Sequence, residues 1–63
     1  MPGDSDRAHE SARNFADEYE GREVQEVISG RSGTVCGYDG PNVKIRTRSG
    51  IELLSPVRRL APA

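Results

Sequence analysis

The side chains of this sequence best suited to chemistry are its cations. Lys44, Arg46 and Arg48 stand two residues apart, and Arg31, Arg58 and Arg59 add to them in the C-terminal two thirds. On an extended strand, side chains two apart point the same way with a separation of about 6.6–6.8 Å. That spacing can track nucleic-acid phosphates or an acidic protein surface, and Tyr38 would supply a ring on which a base stacks. The plainer reading is a solvated strand face whose like charges guard a sheet edge against aggregation. Three cations without interleaved aromatics do not separate the two.

The remaining reactive groups form no constellation. Cys36 is the only cysteine and His9 the only histidine, so neither a disulfide within the chain nor a four-ligand zinc shell can be built. A thiolate nucleophile needs a neighbouring base, and His9 lies in a different segment, which leaves Cys36 as a packed or half-buried strand residue. Glu23, Glu26, Asp39 and Glu52 show no pairing suited to acid–base work. The Gly30-Arg31-Ser32-Gly33 turn precedes no helix that could hold a phosphate. No catalysis, metal or cofactor is expected.

Composition sets the frame. Sixty-three residues suffice for one domain, and a chain this short buries only about 60% of its unfolded surface. With 33% apolar and 30% charged residues, part of the chain is expected to lie outside any core. The net charge of −1 conceals an asymmetry: residues 1–20 carry −4 and residues 21–63 carry +3. No apolar run approaches the roughly 18 residues that span a bilayer, and no signal-like stretch follows Met1, so a cytoplasmic protein without membrane contact is expected.

Two kinds of segment would position these residues. In the first 20, Met1 to Ser5 have tail composition, and Ala8, Ala12, Phe15, Ala16 and Tyr19 follow one helical face. Asp4 or Ser5 would cap this helix and Gly21 would end it. A face with three alanines predicts a flexible acidic arm, disordered or transiently helical, ordered only against a partner or the rest of the chain. Phe15 and Tyr19 are its candidate contact residues.

From residue 21 the texture is glycine turns between β-branched residues. Strands are predicted over 22–28 (core candidates Val24, Val27 and Ile28), 33–38, 43–48, 51–54 and 58–60, with a 3₁₀ turn over 55–57. Val43, Ile45 and Thr47 alternate with the three cations, which sets one face inward. Ile51 and Leu53 share a face opposite Glu52 and Leu54, and one aliphatic of the set is expected at the surface. Five short strands without an intervening helix predict an all-β meander that closes into a five-stranded barrel over residues 21–63.

Gly21-Arg22-Glu23-Val24, Gly30-Arg31-Ser32-Gly33-Thr34-Val35 and Val43-Lys44-Ile45 resemble a KOW-type motif, half of an SH3-like barrel. The resemblance implies an SH3-like fold and, as in ribosomal proteins and transcription elongation factors, RNA or protein binding. Leu54 to Leu60, with Gly33 to Tyr38, also looks like the SH3-like barrel of the type II plasmid-borne dihydrofolate reductases. The Glu52-Leu53-Leu54-Ser55 stretch lacks the Gln and Tyr of their pore. That likeness implies barrel geometry rather than activity.

The expected function is a small non-catalytic binding module that contacts a protein partner through Ile51, Leu53 and the basic strand. The alternative is a KOW-like nucleic-acid-binding or ribosome- or polymerase-associated factor using Arg31, Lys44, Arg46, Arg48, Arg58 and Arg59. An enzyme assembled from several barrels is the third reading. The oligomeric state stays open.

Overall fold

A short helix with a mostly alanine face draws most of its stability from whatever covers that face. In the computed structural model, which describes residues 3–63, a β-sheet covers it. Helix α1 runs Gly3–Tyr19 and buries Ala12 and Ala16, with Phe15 and Tyr19 partly buried beside them. Its last turn has no basic residue, and Asp17 and Glu18 sit at the end where the helix dipole disfavours carboxylates. Packing of the alanine face holds it. Gly21, at φ +79°, ends the helix, and its N–H donates to the Val35 carbonyl at 3.0 Å. A residue with a Cβ rarely adopts that backbone angle.

The Ala12–Tyr19 part of the acidic arm thus packs on the sheet as a layer of the fold. Met1 and Pro2 of the expected tail lie outside the described residues, and α1 begins at Gly3.

Five antiparallel strands follow: β1 Glu23–Glu26, β2 Ser32–Asp39, β3 Asn42–Arg46, β4 Glu52–Pro56 and β5 Leu60–Pro62. A 3₁₀ turn, Val57–Arg59, joins the last two. The strand order is β4-β3-β2-β1-β5. β4 and β5 are the two edges and do not pair, so the expected closed barrel is an open five-stranded sheet. The physical reason is α1, which lies over β2, β3 and the 3₁₀ turn and covers the apolar face that wrapping would otherwise have to cover.

That inner face holds Val24, Val35, Val43, Ile45 and Leu60, with Leu53 and Val57 partly buried around them. Gly33 belongs to it because a Cβ there would lie 2.9 Å from the Arg46 carbonyl oxygen. The expected inward turn of Val43 and Ile45 holds, since both are fully buried.

Several strand ends differ from expectation, and local hydrogen bonds explain two of them. The Glu26 carboxylate accepts the backbone N–H groups of Ile28 and Ser29, which ends β1 in a turn. Val27 and Ile28, expected in the core, are 53% and 73% exposed. At the end of β3, Thr47 Oγ1 accepts the Ile51 N–H at 3.2 Å and closes a turn that takes Arg48 off the strand. β4 extends through Ser55, which pairs with Val43 and is buried. That extension displaces the 3₁₀ turn onto Arg58 and Arg59, which leave the final strand.

β2 contains a bulge. Val35 pairs with Ile45 and Gly37 with Lys44, leaving Cys36 as the extra residue. The bulge moves Tyr38 opposite Val43, on the face that α1 covers.

Candidate partner-binding site

The structure divides the six cations into three groups. Lys44 and Arg46 stay on the outer face of the sheet. Cross-strand pairing sets Glu23, Thr34, Arg46 and Glu52 in one row, with Lys44 next to Leu54 in the row beside it. Arg46 Nη2 donates to Glu52 Oε2 at 2.8 Å. The two cations thus share their face with carboxylates at both ends of the row, and no continuous basic stripe results.

The ion pair leaves a titration signature. The hydrogen bond from Arg46, and then the charge of Lys44, hold the Glu52 carboxyl below its ordinary pKa, and Arg46 is correspondingly raised. A depressed carboxylate contributes stability above its unfolded-state pKa and loses it as pH falls through the lower folded value. Both side chains are solvent-exposed, so the gain is screened and small. In Arg46→Gln the Glu52 titration, followed by carboxyl carbon NMR, is expected to move up toward the ordinary glutamate value. An unmoved titration would show that the pair does not form in solution.

Arg58 and Arg59 sit on the 3₁₀ turn. Arg58 borders a hollow with Ala8, Ser11 and Pro41, near the β2–β3 turn, whereas the Arg59 carbonyl accepts the Val27 N–H at 2.8 Å. Arg58 therefore lies on the helix side, away from Lys44 and Arg46.

Arg31 and Arg48 form the third group. They come from the β1–β2 and β3–β4 turns, which the antiparallel order places at the same end of the sheet. Together with Ser32, Thr47, Ser49 and Ile51 they line one open hollow. Neither guanidinium has a hydrogen-bonding or carboxylate partner among the described residues, where Arg46–Glu52 is the one ion pair. Ile51 is 54% exposed on the wall of this hollow, and Val27 and Ile28 belong to the same turn as Arg31. Hydrophobic patterning cannot reveal that pair of exposed aliphatics, because the carboxylate cap at Glu26 decides where the strand stops.

The other expected contact residues divide similarly. Leu53 turns inward against the core, and Leu54 is the surface leucine, on the outer face beside Lys44. Phe15 and Tyr19 stack on each other at 4.5 Å between ring centroids, with the Arg22 guanidinium 5.9 Å from the Tyr19 ring. They serve the helix–sheet junction. Tyr38 lines a small hollow with His9, Glu10 and Arg13 of α1, on the side opposite Lys44 and Arg46. The ring expected to stack beside the basic strand has been carried to the other face by the bulge. Cys36 is exposed on the outer face, its thiol donating to the Lys44 carbonyl at 3.4 Å.

Compared with models of known families, with curated proteins and with solved structures, the chain matches none.

Proposed function

We propose that this chain is a small, non-catalytic binding module of the SH3-like kind that meets a protein partner at the end of the sheet where the β1–β2 and β3–β4 turns converge. The SH3-like reading is supported by the strand order, in which a four-strand meander is followed by a one-turn 3₁₀ link and a last strand that returns beside the first. It agrees with the KOW-type resemblance over the β1–β2 hairpin and β3.

The observation that carries the functional reading is the exposure of Val27, Ile28 and Ile51 at one end of a small domain, beside two arginines without carboxylate partners among the described residues. Apolar side chains gathered outside a core mark contact surfaces more often than scattered ones do. A nucleic-acid groove would need cations and rings on one surface. Here Lys44 and Arg46 share their face with Glu23 and Glu52, and all three aromatic residues lie on the helix side.

Photo-crosslinking in expressing cells tests this. A benzophenone amino acid in place of Ile28 or Ile51 is expected to give protein adducts that survive nuclease digestion. The same group in place of Asp39, at the opposite end of β2, is expected to give none. Nuclease-sensitive adducts, or equal yields at all three positions, would contradict the proposal.

A further inference from the structure

The hollow between the two turns also restricts what the partner must bring, an inference that rests on the protein-contact reading above. We infer that it takes a carboxylate carried on an aliphatic peptide segment, with Arg31 and Arg48 binding the carboxylate and Ile51 the neighbouring apolar side chain.

Three observations lead there. First, the six residues around the hollow include two arginines and no acid. Two guanidinium groups facing one space repel each other until an anion enters. A carboxylate answers both with charge-assisted hydrogen bonds, for which the planar guanidinium is well shaped. Arg46 provides the internal contrast: its guanidinium is already occupied by Glu52.

Second, the hollow is cationic only locally. It shares Ser32, Thr47 and Arg48 with a neighbouring hollow that Glu23 and Arg46 also line. A phosphate chain running on from Arg48 would meet Glu23 and then Glu52 along the cross-strand row. A single carboxylate ends before either acid. The charge pattern thus admits one or two negative groups and resists a polyanion.

Third, the surface beside the arginines is aliphatic rather than aromatic. Ile51 lines the hollow itself, and Val27 and Ile28 lie in the turn that carries Arg31. Such a wall suits leucine-like side chains on either side of an acid, and gives no plane for a base.

The test uses the full 63-residue chain, labelled for amide NMR. Three eight-residue probes are titrated: leucine interleaved with glutamate and an amidated C-terminus, leucine interleaved with glutamine and a free C-terminal carboxylate, and the leucine–glutamine peptide amidated. A twelve-nucleotide single-stranded DNA is the fourth probe. Saturable shifts at the Arg31, Arg48 and Ile51 amides with the first or second probe, but not the third, are expected. The probe that acts tells a side-chain from a terminal carboxylate. Affinity is expected to fall about tenfold in the double variant Arg31→Gln/Arg48→Gln and to hold in Arg58→Gln. Both variants are surface changes, and an unchanged amide spectrum verifies their fold.

Equal binding of all three peptides would overturn the carboxylate assignment and leave the protein-contact reading standing. So would the absence of shifts at these amides with millimolar carboxylate peptide while crosslinks still form at positions 28 and 51. Tighter binding of the DNA at the same amides would overturn both.

Discussion

Replacing Ile45 with alanine is expected to remove a large share of the molecule's stability and to lower its urea midpoint sharply. Ile45 heads the fully buried side chains by size and sits in β3, between β2 and β4 and beneath α1. Removing a buried isoleucine down to its Cβ costs about 2–5 kcal/mol, because lost transfer energy adds to the cavity left behind. A domain of this length holds only about 3–9 kcal/mol in total at ordinary stability per residue. The conservative change Ile45→Val deletes one methylene and is expected to cost about 0.5–1.5 kcal/mol. Urea titrations followed by circular dichroism measure both. An Ile45→Ala midpoint equal to that of the unaltered chain would mean that β3 presents its other face to the core.

The second large effect concerns the helix. In Ala12→Glu a carboxylate would enter a site with no exposed surface, in the apolar cluster that holds Val35, Val43 and Ile45. Burying an unpaired charge is costly enough that the helix is expected to leave the sheet instead. Once undocked, α1 has little to keep it helical. Helices only a little longer than about 12–15 residues draw most of their stability from packing, and Asp17 and Glu18 sit at the unfavourable end. The sheet then loses the layer that covers its inner face. Loss of most of the helical signal at 222 nm, with a large fall in the urea midpoint, is the expected result. Asn14→Glu, on the exposed side of the same helix, is expected to change neither. Retained helicity and stability in Ala12→Glu would show that the alanine face does not lie against the sheet.

These two positions also show what was readable in the chain beforehand. Val43 and Ile45 alternate with Lys44 and Arg46, and that period of two marks β3 and its inward face without ambiguity. The Asp39 to Asn42 turn and Ser49-Gly50 likewise mark chain reversals by composition. Ala12 and Ala16 are legible as a helical face, but their small size hides that the face is a core element, because docking depends on what lies opposite. Strand ends are a different matter. Glu26 and Thr47 stop β1 and β3 through side-chain hydrogen bonds, which hydrophobic periodicity does not encode. This is why Ile28 and Arg48 fall outside the strands.

The bulge had a faint signal of its own. Gly37 lies inside an otherwise β-branched run, and an isolated glycine in a strand often marks such a slip. At φ +152° it takes a backbone conformation that other residues rarely adopt. Because one extra residue exchanges the two faces beyond it, the partition of Tyr38 from Lys44 follows from Cys36 alone. The candidate site was legible as a set of cations and not as a place. Arg31, Arg48 and Ile51 are 17 and 3 residues apart in the chain and meet only because two turns end side by side.

Which surface remains free for a partner depends on α1 occupying the inner face of the sheet. Methyl-resolved nuclear Overhauser spectra of the whole chain reach that point most directly. Cross-peaks from the Ala12 and Ala16 methyls to those of Val35, Val43 or Ile45 are the expected result, together with slow amide exchange at Ile45. Absent cross-peaks with Ile45 exchanging at the rate of an exposed amide would contradict it, and the assignment of the loop end as the contact surface would go with it.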